Sequence, residues 1–200
     1  GTQVAIVAGP EGEEIHPDQY GRIKLWFPWD RKAKKDGTDT CWVRVAQSWA
    51  GSAWGGQTIP RIGMEVMVAF VDGDPDRPLV TGVVPNPANG VPYELPANKT
   101  RMVLRSNTHK GTGFNELSFE DEAGKEQLFL HAQKDHDVHV LNDTRERVEH
   151  DRHQHVANDK TGFVGGDYEQ VVAGNVSIAV GQNKLTEYLL SRTMNMFGNF

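Results

Sequence analysis

The stretch VLNDTRERVEHDRHQHVANDKTGFVGGDYEQVVAGNVSIAVGQN, Val140 to Asn183, decides the fold of the second half of this chain. Val140, Val148, Val156, Val164, Val172 and Val180 recur every eight residues without a slip. Two positions after each valine stand Asn142, His150, Asn158, Gly166, Gly174 and Gln182, mostly residues that tolerate left-handed or turn conformations. One position further come Asp143, Asp151, Asp159, Asp167, Asn175 and Asn183. An eight-residue unit is too short for a helical solenoid repeat. It suits one short strand and one tight corner: valine favours the pleated backbone, Gly or Asn supplies the corner, and Asp or Asn bonds nearby amides. The expected product is a β-helix with its valines stacked inside, and the phase runs on, weakened, into Tyr188–Leu190 and Met196–Gly198.

One octad cannot be stable alone. Burying a valine contributes about 1.5–3 kcal/mol, whereas ordering each backbone unit costs about 1–2 kcal/mol. Neighbouring strands must supply the difference. Between Val148 and Val156 the run EHDRHQH has no large apolar residue. A chain coiling on itself and a bundle of chains winding together share this periodicity, and the polarity of the early octads favours three interwound chains.

Working outward, residues 1–95 follow another grammar. β-prone runs are expected at Gln3–Ala8, Tyr20–Phe27, Cys41–Ala46, Met64–Val71 and Leu79–Val84. In the second run, Ile23, Leu25 and Phe27 share one face. The runs are separated by turn-rich GPEGEE, WDRKAKKDGTD, GSAWGGQTIPRIG and DGDPDRP. Five short strands without helical periodicity predict a small closed barrel or sandwich, best matched by the five-stranded OB type. The predicted class is therefore all-β: an OB-type barrel over 1–95, a neck over 96–139, and the start of a triple-stranded β-helix over 140–200.

Composition agrees with short strands: 21 Gly and 10 Pro in 200 residues favour turns over long helices. The net charge of −6 gives no overall attraction to nucleic acid or anionic membrane. A single cysteine, Cys41, excludes an internal disulfide and any multi-cysteine zinc site. The start GTQVAIVAGP lacks the basic region and long apolar run of a signal peptide, so export by the usual route is not expected. No window approaches the ~20 apolar residues of a membrane span.

YGRIKLWFPWDR (Tyr20–Arg31), CWVRVAQSWAG (Cys41–Gly51), WGG (Trp54–Gly56), IPRIGMEVMVAF (Ile59–Phe70) and GDPDRP (Gly73–Pro78) together resemble the OB domain of VgrG proteins. These are the valine–glycine repeat spikes of bacterial type VI secretion, related to the central spike of contractile phage tails. FNELSFEDEAGKEQLFLHAQKD (Phe114–Asp135) resembles the segment leading into that family's β-helix, and the octads resemble its repeat. The resemblance implies an interwound homotrimer with an OB collar above a rigid needle, and a mechanical role without enzyme activity or cofactor. It implies a secretion tube protein, a tip-sharpening protein and effectors as partners, with no nucleic acid, and a target membrane met only mechanically. It further implies assembly in the bacterial cytoplasm followed by secretion through the contractile apparatus. The phage relative carries a lysozyme domain between barrel and needle, for which residues 96–139 are too few. The early octads depart from the pattern by using Asn and His where the family name promises Gly.

Candidate chemistry is sparse. His150, His153 and His155, with His136 and His139 upstream, are the candidate metal ligands, but no fixed ligand trio is evident and solvated positions explain them better. Asp72, Asp74 and Asp76 suggest a cation loop, yet lack the later glutamate and spacing of an EF-hand, so a turn with Arg77 as local partner is expected. Asp30 with Asp36, and Glu13 with Glu14, have no defined cleft for acid–base work. Ser48 and Ser52 lie in no G-x-S-x-G elbow, and Cys41 is expected as a buried, inert thiol. Trp26, Trp29, Trp42, Trp49 and Trp54 among Arg22, Lys24, Arg31 and Arg44 allow a second reading, an OB module binding single-stranded nucleic acid. Against it, residues 1–95 hold 9 Lys and Arg to 12 Asp and Glu, so the tryptophans are expected to pack the barrel or a barrel–barrel contact. The residues expected to carry function are the six valines of the repeat, with Gly166 and Gly174 at its corners.

Overall fold

The computed structural model describes residues 1–183, 185 and 186; the expected continuation of the octads at Tyr188–Leu190 and Met196–Gly198 lies outside them. The described chain is all-β, with no α-helix and a single 3₁₀ turn at Val71–Gly73. It divides into two units, Gly1–Leu141 and Asn142–Phe200.

The first unit opens with five strands: β1 (Thr2–Ala8), β2 (Lys24–Trp26), β3 (Arg44–Val45), β4 (Glu65–Phe70) and β5 (Pro78–Val84). They form one sheet in the order β2-β1-β4-β5-β3, antiparallel except for the β3–β5 pair. The sheet curls until its two edges meet. Ile23 and Val43, just before β2 and β3, exchange N–H···O=C bonds of 2.9 and 2.8 Å. An extra residue in β5 opposite Met67/Val68 makes a bulge, which adds the local twist that closure needs. The barrel interior is filled by the alternate residues of each strand: Ala5 and Val7, Ile23 and Leu25, Val43, Val66 and Val68, and Val80 are all nearly inaccessible. Phe27, Val45, Ile59, Ile62, Met64 and Phe70 close its ends. This is the small OB-type barrel expected.

Two strands are shorter than expected, for local reasons. The run from Tyr20 does not pair until Ile23, because Asp18 organises a turn first. Its carboxylate accepts from the backbone N–H groups of Tyr20 and Arg22, both at 2.9 Å, and from Arg22 Nε at 2.6 Å. The run from Cys41 pairs only from Val43, so Cys41 is exposed rather than buried: it precedes the first ladder position.

Beyond the barrel, where only a connector was expected, three strands form an antiparallel sheet: β6 (Arg101–Arg105), β7 (Glu116–Glu120) and β8 (Gln127–His131). The β6–β7 hairpin is tied to the barrel's first loop. Lys110 Nζ bonds Glu13 at 2.8 Å, and Arg61 donates to the Asn107 carbonyl at 2.6 Å while facing Glu14 at 3.6 Å. Glu13 and Glu14 are thus structural anchors.

Candidate subunit interface

The three-stranded sheet has two faces of opposite character, set by its register. One carries the cross-strand rows Arg101–Glu120–Gln127, Val103–Ser118–Phe129 and Arg105–Glu116–His131. Here polar groups are buried: Glu116 and Ser118 are 3% and 2% accessible. Tyr93 lies against this face and donates its hydroxyl to Glu116 Oε1 at 2.8 Å, while the Arg101 guanidinium stacks 4.7 Å from its ring centroid. Burial works to raise the Glu116 carboxyl pKa. The hydroxyls of Tyr93 and Ser118 and the charges of Arg105 and Arg101 outweigh it, and the group is held below its ordinary value.

The other face carries Met102–Phe119–Leu128 and Leu104–Leu117–Leu130. Met102, Leu104, Leu128 and Leu130 are all more than half exposed. Six apolar side chains in two unbroken rows, open to water on a sheet whose opposite face is ionic, invert the usual arrangement. A contiguous apolar patch of this kind marks an interaction surface.

The second unit presents the same deficit in its backbone. The chain bends at residues 141–142, 149–150, 157–158, 165–166, 173–174 and 181–182, an eight-residue step that lands each time one and two places after a repeat valine. The six valines share one environment, 43–53% exposed, whereas Leu141, Phe163, Tyr168, Val171, Val176 and Ile178 between them are 62–94% exposed. Each valine therefore sits on the sheltered side of its bend. Among the described residues beyond His131 there is no strand pairing and no backbone–backbone hydrogen bond within the chain. The contacts made are local ion pairs such as Arg145–Asp143, Arg147–Glu149 and Arg152–Glu146. Gly166 and Gly174 lie at bends with open space where a side chain would be.

The other candidate residues are dispersed. His150, His153 and His155 are all exposed, with His150 Nδ1 3.0 Å from Asp151. Among the described residues no group of three or more ligating side chains comes together. Asp72, at φ 56°, pairs with Arg77 at 2.7 Å, and Asp74 accepts from the Asp76 amide, which makes VDGDPDRP a braced turn. Asp30 and Asp36 each accept from backbone N–H groups two residues on, and Ser48 and Ser52 are exposed. None of the five tryptophans is buried in the barrel; Trp29, Trp49 and Trp54 are 56–67% exposed. The interior is narrow and is filled by Val, Ile, Leu and Ala. Nor do the basic residues line a groove beside the indoles. Lys24 lies over Trp42, Lys35 over Trp26, and Arg22 is held by Asp18, while Arg31 and Arg44 are exposed.

Both surfaces lie within a segment that a family model matches. Residues 5–84 match the family model of the type VI secretion system/phage-baseplate injector OB domain. Residues 102–198 match that of the bacteriophage T4 gp5 C-terminal trimerisation domain, which begins within β6. Over 150 residues, 75% of the chain, it is 55% identical to the actin cross-linking toxin VgrG1 of Vibrio cholerae. It is 53% identical over 150 residues to the spike protein VgrG3 of the same species. Over 151 residues it is 54% identical to the type VI spike protein VgrG4b of Pseudomonas aeruginosa. The chain spans only 14–19% of the length of these three relatives. With an OB barrel and an octad segment in the family's order, it belongs to the VgrG-type spike proteins of type VI secretion.

Proposed function

We propose that this chain is a structural part of a puncturing spike, a homotrimer whose three octad segments wind into a β-helical needle that helps deliver effectors across a target membrane. The observation that carries the proposal is the eight-residue step of bends in a backbone whose described residues pair with nothing of their own chain. Buried or stacked, such a backbone needs partners for its N–H and C=O groups. Three copies in register provide them to one another and bring the half-sheltered valines together on the inside. The six repeat valines, with Gly166 and Gly174 at the corners, are the residues that carry this role. The apolar rows of β6–β8 supply a second contact, so residues 1–95 act as a collar, 96–139 as a neck and 140–200 as the beginning of the needle.

The role is mechanical rather than catalytic: closed ladders without free edges transmit axial force through a stiff rod. The partners proposed are a secretion tube protein, a tip-sharpening protein and effectors. Assembly takes place in the bacterial cytoplasm and delivery is outward through the contractile apparatus. Light scattering coupled to size exclusion tests the proposal. A mass near three times the 22.2 kDa chain, with a hydrodynamic radius larger than a sphere of that mass, is expected; a compact monomer would overturn it.

A further inference from the structure

Between β3 and β4 the barrel carries a feature its fold does not require. Residues 47–58 leave and return as a short arm. The Gln47 side chain clamps its stem, donating to the Thr58 carbonyl at 2.9 Å and accepting from the Thr58 amide at 3.0 Å. Further out, Ala50 bridges Gly55, the Gly51 amide donates to the Trp54 carbonyl, and the Gly56 amide donates to the Trp49 carbonyl, both at 2.8 Å. The arm presents Trp49 and Trp54, packed edge to face with centroids 5.0 Å apart and both more than half exposed. Two glycines are shaped to this pair. A Cβ on Gly51 would lie 2.2 Å from the Trp54 indole, and one on Gly55, at φ 129°, would lie 2.5 Å from the Trp49 carbonyl. Two large apolar rings are thus held rigid in water at a backbone built to hold them, which is the form of a preorganised aromatic anchor.

The same unit contains a groove of about 1200 Å³. Its walls include Val83 of the barrel, Met64 and Leu104 of β6, and also Gln47, Gln57 and Thr58 of the arm's own stem. Leu104 belongs also to the exposed apolar rows, so the groove is continuous with the face proposed above as the neck contact. We infer that the Trp49–Trp54 arm of one copy seats in the groove of a neighbouring copy, clasping barrel to barrel around the three-fold axis; this rests on the trimer reading. Contacts around such an axis are head-to-tail, joining one patch to a different patch, and so require a knob and a hole on each chain. The arm is the knob and the groove the hole.

A cysteine pair tests the clasp. In a Cys41→Ser background, Ala53→Cys marks the arm beside the two tryptophans and Val83→Cys marks the groove wall. Oxidation is expected to give disulfide-linked dimers and trimers on non-reducing gels. Adding Trp49→Ala and Trp54→Ala should lower that yield at least about fivefold, the loss of one aromatic anchor, while the octads keep the mass trimeric. A trimeric mass with no interchain disulfide, or a yield indifferent to the tryptophans, would overturn the clasp and leave the trimer standing. A monomeric mass would overturn both.

Discussion

Glu116 is a carboxylate with almost no access to water, and its neighbours explain why the fold tolerates it. Tyr93 donates to one oxygen at 2.8 Å and Arg105 stands 3.8 Å from the other. Tyr93 comes from a segment 23 residues earlier and is itself flanked by the Arg101 guanidinium. Because the folded pKa is depressed, the ionised form stabilises the fold above the unfolded value of 4.5, and that contribution disappears as pH falls through the lower folded value. Glu120 is shifted the same way, first by the Thr100 hydroxyl and also by Arg101. Denaturant unfolding of the first unit should therefore weaken steadily from about pH 5 downward. Glu116→Gln should cost on the order of 1 kcal/mol at pH 7, since at a nearly inaccessible position it weakens the charge-assisted bond from Tyr93 and removes the counter-charge of the partly exposed Arg105, and should flatten the acid slope. An unchanged slope in that variant would locate the acid sensitivity elsewhere.

At the scale of elements, two surfaces in this chain are apolar on the side that one copy leaves wet. Leu117, at the centre of the neck's apolar rows, is only partly covered within its own chain. Leu117→Glu should cost the single chain on the order of 1 kcal/mol, because much of that side chain is already covered by its own sheet. It should nonetheless shift the solution mass below the trimer, because assembly would bury three like charges. Val164→Asp and Phe163→Ser form a sharper pair, adjacent in sequence but 53% and 94% exposed. The first is expected to abolish the trimer on size exclusion and the second to leave it intact; equal behaviour of the two would mean the valines do not form the inner stack. The octads were legible in sequence because a step of eight, with Gly or Asn at most of the corners, is local chemistry. The five barrel strands were legible for the same reason, apart from their ends. The neck sheet was not read, although Met102/Leu104, Leu117/Phe119 and Leu128/Leu130 alternate as strands do. Its covering residue, Tyr93, is distant in sequence, and its polar positions turn inward against the usual rule. Of the two places expected for Trp49 and Trp54, the barrel interior is excluded because it is narrow and filled by Val, Ile, Leu and Ala, and the barrel–barrel contact is the one proposed above. The glycines at 51, 55 and 56 were the available sign that those rings sit on an arm.

The whole molecule combines a unit that completes itself with one that does not. The barrel closes within one chain: its strands pair around a continuous core from Ala5 to Val80, and the Ile23–Val43 bridge joins its edges. Among its described residues the octad unit satisfies no backbone group with another, and in the proposed trimer other copies supply the partners. Two consequences for unfolding follow from that difference. Anything bound only by the folded state stabilises it by mass action, and for the octads the bound species is the chain itself. Their melting temperature should accordingly rise with protein concentration, and a scanning calorimetry trace should contain two transitions rather than one. In the Val164→Asp variant the concentration-dependent transition should vanish while the barrel transition remains near its original temperature, its own core being untouched. A single concentration-independent transition in both proteins would mean that the second half folds within one chain, and the spike would then need a different architecture.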